Sequence, residues 1–453
     1  MVDRPPPAAA GPVRPAARPR RDDAGGPPVH RRRRTAHGWP PFLGLAIVLS
    51  VAATGLVASE GRGPGPGQAE ARQLHLTWPR DPRWTVTIQW HTTTSTSNLA
   101  LVAGPDGRWR TRYGRRPAQR AVTTGRLHQV EVTGLRADTE YRYAVATDAG
   151  MSRPYSFRTA PRGPASFRFA AFGDQGDCLT HRPACKVIKQ IAEEDPAFVL
   201  GAGAGALSSA DADGPAAEER WLQDVSLYAS RAPLMPTPGH HEDPAGPAAE
   251  HQVPLSDLQA HFAIPGLTDP GHYSFDYGGL HVVALPDAYG QHPGGADRAL
   301  LSWLDADLAA ARADRRTRWI VAFLHRPLYS TGRRQGAYAP FTRDLVPLFD
   351  RHRVDVVVSG HEDHYERTLP MRAGVKTFKT LGVVPSGTGT VYVVSGGGGA
   401  PVVDDVGPRA PWDAVRSAVH QHLLFEVTPR LLQMSAVTTS RHVVDQLVLD
   451  RTD

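Results

Sequence analysis

Two patterns of apolar and polar residues divide the chain near residue 161. From residue 74 to residue 161, short segments of alternating apolar and polar residues are separated by turn sequences. In one such segment the apolar positions are Trp84, Val86, Ile88 and Trp90. This spacing is typical of antiparallel strands that pack in a β-sandwich. We therefore expect an all-β domain over residues 72–161.

Beyond residue 164 the pattern changes to short, continuous apolar runs with helical segments between them. The runs expected to be buried strands are residues 167–172, 198–200, 281–285, 319–324, 354–358 and 391–394. Continuous apolar runs are the signature of strands covered on both faces. In the helical segment 297–312, Leu301, Leu304 and Leu308 share one face. The fold class predicted for residues 165–450 is therefore α/β.

The first 71 residues show neither pattern. Residues 1–38 are rich in Pro, Ala, Gly and Arg, and we predict a disordered cytoplasmic tail. Residues 39–59 are almost entirely apolar and follow Arg31, Arg32, Arg33 and Arg34, so they predict either a transmembrane anchor or a signal segment. Residues 60–71 are a linker. Both alternatives place the folded part outside the cytoplasm, held at the membrane or secreted after cleavage.

The charge of the chain argues against a nucleic acid partner. The formal net charge is +6, and residues 1–34 alone hold nine Arg against three Asp. The remaining 42 Lys and Arg balance the remaining 42 Asp and Glu, so the folded part has no net basic charge. The two cysteines, Cys178 and Cys185, are compatible with a disulfide in an oxidising compartment, and two free thiols are the alternative.

Ionisable residues follow the ends of several predicted strands or lie in the loops between them. They are Asp174, His240, His241, His325, His361, Asp363 and His364. In open α/β sheets the loops at the carboxyl ends of the strands build the functional site, so we expect these side chains to converge. Imidazole and carboxylate groups are ligands for zinc, manganese and iron. The sequence therefore predicts a metal site at one edge of a sheet.

The stretches around these residues resemble the metallophosphoesterases of the purple acid phosphatase type. The matching stretches, in order, are FGDQG, PGHHED, LHRPLYS and GHEDHYER, and residues 130–145 resemble the end of a fibronectin type III-like domain. The resemblance covers residues 74–450. It implies a fibronectin-like sandwich followed by a β-sandwich flanked by helices. It also implies hydrolysis of small phosphate esters with one or two zinc, manganese or iron ions.

The resemblance also assigns roles to individual residues. It makes metal ligands of five residues, which are Asp174, His240, His325, His361 and Asp363. It gives His241 the role of general acid. Glu242 would orient a ligand, and His364 would substitute for the neighbouring Asp363.

Two ligands of the family are absent from this chain. The family's bridging Asp and its Tyr ligand correspond to Ala204 and Leu207 in GAGAGAL. Two cations within about 4 Å of each other repel, and a shared carboxylate offsets that repulsion, so its loss predicts an altered and incomplete dinuclear site. Without the Tyr phenolate we expect a colourless protein. His240, His325 and His361 would instead form a three-histidine site for one zinc ion.

Two other functions are compatible with the sequence. A pseudophosphatase would keep the fold as a binding module at the cell surface, without catalysis. A structural wall or surface protein has only the Pro-rich tail and the sandwich domain in its favour. Bound metal separates the enzyme from the structural protein, and turnover separates the enzyme from the pseudophosphatase.

Overall fold

The computed structural model describes residues 70–115, 119–120, 125–203, 214–239, 258, 260–267, 271–286, 295–332, 339–379, 382–403 and 406–451. The predicted tail and apolar segment, most of the linker, and the residues His240, His241, Glu242, Ala204 and Leu207 lie outside this part. Within the ranges described, no helix is long and apolar enough to cross a membrane. The chain divides into the units Met1–Leu56 and Val57–Asp453, and the second contains every described residue.

The amino-terminal domain is the expected all-β sandwich. Its strands are β1 Arg72–Thr77, β2 Val86–Thr92, β3 Leu99–Ala103, β4 Trp109–Tyr113, β5 Gln119–Arg120, β6 Arg126–Val132, β7 Glu140–Thr147, β8 Gly150–Met151 and β9 Tyr155–Arg158. One sheet has the order β1-β2-β6-β5, and the other has the order β4-β3-β7-β8 with β9 beside β7. Val86, Ile88 and Trp90 are buried in the core of this sandwich.

The polar positions of β1 and β2 are buried as well, because they face the second domain. All seven residues of β2 are buried. The Gln89 side chain donates to the carbonyl of Ala260 and accepts from the backbone N–H of Ala263. The N–H of Gln73 donates to Gln223 Oε1 at 2.9 Å. Both faces of β2 are thus buried. Its apolar residues pack in the core of the sandwich, and its polar face contacts the second domain.

The second domain contains two seven-stranded sheets and four helices within the described residues. Its strands are β10 Phe167–Phe172, β11 Val199–Ala202, β12 Leu234–Thr237, β13 Tyr273–Tyr277, β14 Leu280–Ala284, β15 Trp319–Phe323, β16 Val356–Ser359, β17 Tyr365–Thr368, β18 Met371–Arg372, β19 Val375–Lys376, β20 Val383–Pro385, β21 Val391–Ser395, β22 Asp413–Ser417, β23 Gln421–Val427, β24 Leu431–Thr438 and β25 Val443–Asp450. The helices are α1 Arg182–Glu194, α2 Gly214–Ala229, α3 Arg298–Ala313 and α4 Ala339–His352.

The predicted β-sandwich flanked by helices is confirmed. The first sheet has the order β12-β11-β10-β23-β24-β25-β20 and the second has the order β13-β14-β15-β16-β21-β17-β22. Strands β10, β11 and β12 are parallel to one another, as are β14, β15, β16 and β21. The loops that follow parallel strands therefore leave each sheet at one edge.

Aromatic side chains fill the space between the two sheets. Phe169 stacks between Phe198 and Phe425, with ring centroids 4.9 and 4.3 Å away. Phe198 also meets Phe275 of the second sheet at 5.5 Å and Trp78 of the amino-terminal domain at 5.6 Å. Such aromatic contacts add to the free energy of burial, and here they join both domains into one core.

The predicted apolar face of α3 is confirmed at Leu304 and Leu308, and Leu300 belongs to it as well. Leu300, Leu304, Leu308 and Ala311 are buried, whereas Leu301 is half-buried at the margin of the core. Asp297 caps the helix by accepting the N–H of Leu300 at 2.7 Å. The cap makes Arg298 the first helical residue and turns Leu300, rather than Leu301, toward the sheet.

Candidate active site

The two sheets meet where Asp174, His325 and His361 follow strands β10, β15 and β16. The N–H of Gly173 donates to the carbonyl of Ser395 at 2.9 Å, which joins the end of β10 to the end of β21. The N–H of His361 donates to Asp174 Oδ2 at 2.6 Å. All three ionisable residues are buried. The structure therefore brings together three of the residues that the sequence predicted as ligands.

Two of these residues have an unusual backbone conformation. Asp174 has φ +54° and His361 has φ +70°, both in the left-handed region that non-glycine residues seldom occupy. Such conformations cost about 1–3 kcal/mol each and persist where the surrounding structure determines them, often at functional sites. One glycine separates each residue from the end of its strand, so the conformation turns the chain sharply into the site.

Two glycines allow the close approach of the strand ends. A Cβ on Gly360 would lie 2.6 Å from Asp174 Oδ2 and 2.8 Å from the carbonyl oxygen of Ala202. A Cβ on Gly203, which has φ +72°, would lie 2.5 Å from the ring of His325. Any larger residue at either position would displace the groups that form the site.

The imidazoles of His325 and His361 face each other. Nδ1 of His325 lies 3.0 Å from the carbonyl oxygen of Ala202. Because a carbonyl oxygen only accepts hydrogen bonds, this Nδ1 carries the proton and Nε2 carries the lone pair. That Nε2 lies 3.3 Å from Nδ1 of His361, and the planes of the two rings form an angle of 79°.

This pair fits one side of a metal site. Two nitrogens bound to one tetrahedral zinc ion, with bonds of about 2.0–2.1 Å, lie about 3.3 Å apart. A histidine ligand commonly donates its other N–H to a carbonyl, as His325 does to Ala202. Among the residues described, no three His, Cys, Asp or Glu side chains form a group that could hold a metal ion. His240, the predicted third histidine, lies outside them.

The other predicted residues in the GHEDHYER stretch lie in the turn before β17. Asp363 is buried there, and its carbonyl accepts the N–H of Val403 at 2.9 Å. His364 is also buried, and its Nε2 lies 3.3 Å from Glu366 Oε2. The roles assigned to Asp363 and His364 at the metal therefore stay predictions.

Glu366 links this turn to the loop that follows His325, and sequence reasoning gave it no role. Its carboxylate accepts from Ser330 Oγ at 2.9 Å, from the N–H of Thr331 at 2.9 Å and from Thr331 Oγ1 at 2.6 Å. Burial raises the pKa of Glu366, but hydrogen bonds from His364 and the two hydroxyl groups outweigh burial and lower it. No strand was predicted at β17, and the adjacent Glu366 and Arg367 in GHEDHYER were the available signal.

The loop after Asp174 is fixed by several contacts. Cys178 and Cys185 form a disulfide with their Cα atoms 5.0 Å apart. The N–H of Cys178 donates to Asp224 Oδ2 at 2.8 Å. Gln175 accepts from Trp221 Nε1 at 3.0 Å. These contacts tie the loop to α1 and α2, which supports the position of Asp174.

Two family models match the chain. Residues 71–159 match the model described as purple acid phosphatase, N-terminal domain. Residues 167–365 match the model described as calcineurin-like phosphoesterase. The matched ranges cover the sandwich and the ends of β10, β15 and β16, which are followed by Asp174, His325 and His361.

Known proteins resemble the chain over most of its length. An uncharacterised protein of Mycobacterium tuberculosis is 29% identical over 427 residues, which cover 82% of this chain and 78% of that protein. Acid phosphatase type 7 of Homo sapiens is 28% identical over 389 residues, covering 78% of this chain and 84% of that protein. The structure of a purple acid phosphatase from yellow lupin (Lupinus luteus) seeds has a TM-score of 0.72 at 20% identity, with 84% of this chain and 74% of that chain covered.

Proposed function

Because this chain belongs to the purple acid phosphatase-like metallophosphoesterases of the calcineurin-like superfamily, we propose that it hydrolyses phosphate esters outside the cytoplasm with an altered metal site. The substrate would be a small-molecule phosphate ester, and the cofactor one or two divalent or trivalent ions. The basic and apolar residues 31–59 support the location, by anchoring the chain or exporting it.

The facing imidazoles of His325 and His361 carry this proposal. Their nitrogens are 3.3 Å apart, and both side chains are buried at the meeting point of the strand ends. A metal ion held there would offset charge on the phosphoryl oxygens and lower the pKa of the attacking water. His325 is held in the tautomer that exposes a lone pair, because Ala202 takes its other proton. These two side chains would therefore offer ring nitrogens to a cation.

Three further residues would support the reaction. Asp174 Oδ2 accepts the N–H of His361 and so fixes the turn that presents this imidazole. His241 would protonate the oxygen of the leaving group, the role that the family resemblance assigns to it. Glu242 would orient one of the ligands. Both His241 and Glu242 lie outside the described residues.

A catalytically inactive pseudophosphatase is the second candidate. Ala204 and Leu207 stand where the family has its bridging Asp and its Tyr ligand. The residues that the structure describes also form no group of three or more metal-binding side chains. A chain of this kind would retain the fold and bind a phosphorylated ligand without hydrolysing it.

The test is to measure bound metal and turnover on the same preparation. The purified full chain is loaded with zinc, manganese or iron, and metal per chain is measured together with hydrolysis of an aryl phosphate. We expect at least one ion per chain and turnover that disappears with a chelator. Bound metal without turnover would favour the pseudophosphatase, and the absence of both would overturn the metalloenzyme proposal.

A further inference from the structure

Charge is distributed unevenly between the two domains, although the folded part as a whole is neutral. Residues 72–161 contain 14 Arg, no Lys and six Asp or Glu, a net charge of +8. Residues 165–450 contain 25 Lys and Arg against 33 Asp and Glu, a net charge of −8. The neutral net charge of the folded part is therefore the sum of a basic sandwich and an acidic phosphoesterase domain. Long-range attraction of an anionic partner would act on the sandwich.

The excess arginines are concentrated at one edge of the sandwich. We define the basic edge as Arg108, Arg112, Arg115 and Arg126, which lie on or beside strands β4 and β6. Strand β4 is the outermost strand of one sheet, and β5, the outermost strand of the other, pairs with the start of β6. Arg126 is the first residue of β6, so it lies at the end of that strand, next to the outermost strand of its sheet.

Carboxylates do not neutralise this edge. The neighbouring Arg110 pairs with Asp106. Within the described part of the chain, Arg112, Arg115 and Arg126 form no ion pair. Arg108 and Arg115 are exposed, and Arg112 and Arg126 are half-exposed. Most of the positive charge at the edge is therefore available to a partner.

One aromatic residue of β4 is exposed beside these arginines. Tyr113, next to Arg112, is 69% exposed, whereas Trp109 of the same strand is 7% exposed and lies 5.5 Å from the guanidinium of Arg142. Tyr and Trp with neighbouring cations are the residues that proteins place at the boundary between lipid and water. The composition of the edge thus matches an anionic lipid surface in both charge and amphipathic character.

The position of the sandwich in the chain favours the same partner. Residues 40–59 are apolar, and only residues 60–71 separate them from the sandwich. A Gly-rich chain of that length without regular structure would have a root-mean-square span of about 20 Å. If the apolar segment enters a bilayer, the sandwich is the domain held next to the headgroups.

We propose that the basic edge binds the anionic headgroups of a phospholipid membrane. The arginines would pair with lipid phosphates, and Tyr113 would enter the interfacial layer. The acidic phosphoesterase domain would be repelled from the same surface, which would leave its site open to soluble substrate. This inference does not depend on whether that site is catalytic.

The test compares vesicle binding of the full chain and of two variants. Vesicles of phosphatidylcholine alone are compared with vesicles containing roughly a third phosphatidylglycerol, at low and at physiological salt. The edge variant replaces four arginines by Gln, namely Arg108→Gln, Arg112→Gln, Arg115→Gln and Arg126→Gln. The matched control removes four exposed cations of the second domain, namely Arg182→Gln, Arg298→Gln, Arg315→Gln and Lys379→Gln.

We expect the wild type and the control to prefer the anionic vesicles equally. Each arginine near such a surface is worth about fivefold in partition, so the edge variant, which lacks four of them, should lose roughly 600-fold of that preference. The tail and the apolar segment are common to all three chains, and thermal unfolding verifies that the variants fold.

Three results would overturn the proposal. One is an equal preference for anionic vesicles in the edge variant and the wild type. A second is new self-association of the edge variant with unchanged vesicle binding, which would show that the arginines only protect an exposed strand edge. The third is a salt-sensitive dimer of the wild type that the edge variant loses, without any vesicle preference, which would identify a second copy's acidic domain as the partner.

Discussion

The two sheets of the phosphoesterase domain contribute unequally to the candidate site. The second sheet provides His325 and His361, whose imidazoles face each other at 3.3 Å. The first sheet provides Asp174, and its next strand is followed by GAGAGAL, where the family resemblance predicts Ala204 and Leu207 in place of a bridging carboxylate and a phenol. The two facing imidazoles are thus part of the described structure, whereas the loss of negative charge on the carboxylate side stays a prediction.

The difference shows that the two sides depend on different parts of the chain. The histidine side is positioned by main-chain groups, such as the Ala202 carbonyl that holds His325. The carboxylate side would depend on the side chains at positions 204 and 207, which lie outside the described residues. If both ligands are absent, one half of a dinuclear site would be lost while the facing imidazoles stay in place.

Removing the histidine side should have the largest effect. We expect His325→Ala or His361→Ala to lower bound metal to near zero and to reduce kcat/KM by at least about 100-fold. His325→Gln tests metal binding separately from folding. The Gln amide can still donate to the Ala202 carbonyl, but the imidazole ligand is gone. Metal analysis and aryl phosphate hydrolysis check this expectation.

His442→Ala is the matched control, because His442 is exposed and lies in a turn between β24 and β25. It should retain metal and activity. Undiminished metal binding in both His325→Ala and His361→Ala would show that the ion, if any, binds elsewhere.

Restoring the carboxylate side should have a smaller effect in the opposite direction. We expect Ala204→Asp with Leu207→Tyr to bind one more metal ion per chain and to raise activity about 10-fold, because a shared carboxylate offsets repulsion between two ions. With iron, only the chain that contains the new Tyr should show a visible charge-transfer band.

Ala204→Asp alone is the control, since it should add the ion without the colour. A visible band in the iron-loaded wild type would contradict the expectation of a colourless protein.

The smallest effect is expected at His281, which lies outside the site and whose contacts favour a charged imidazole. Nδ1 of His281 lies 2.8 Å from Asp276, and Nε2 lies 2.9 Å from Asp307. Burial lowers the pKa of His281, but the two carboxylates outweigh burial and raise it to about 9. Its stabilisation is therefore complete below about pH 6.5 and is lost as the pH rises through about 9.

The comparison variant is His281→Gln, which cannot be charged. Asp276 is largely exposed, so screening reduces the expected change in unfolding free energy to about 1 kcal/mol. Urea unfolding of both chains across this pH range should show the wild-type advantage shrinking at alkaline pH. An advantage that does not change with pH would contradict the assignment of charge to His281.

Much of the fold and part of the site could be predicted from the sequence. The continuous apolar runs identified the buried strands, and the residues that follow them identified Asp174, His325 and His361. Strand ends converge because parallel strands place their carboxyl ends at one edge, which is a property of the backbone and not of any particular side chain.

What the sequence did not predict depends on how side chains turn after a strand ends. His361 and His364 belong to one short motif, yet one faces His325 and the other faces Glu366. The positive φ of His361 sets this difference, and no local pattern specifies it. The burial of the polar face of β2 was not predicted either, because alternation shows only that the two faces of a strand differ in polarity.

Because of that buried polar face, the chain cannot be divided at the boundary near residues 159–164 into two independent domains, although the boundary is clear in the sequence. A separated sandwich would expose Trp78 and leave Gln73 and Gln89 without the groups that they contact in the second domain. A different phosphoesterase domain fused at this point would need to supply the same acceptors and donors at the same positions. The two domains are therefore exchangeable only as a pair, and whoever builds chimeras from this chain has to join them before residue 70.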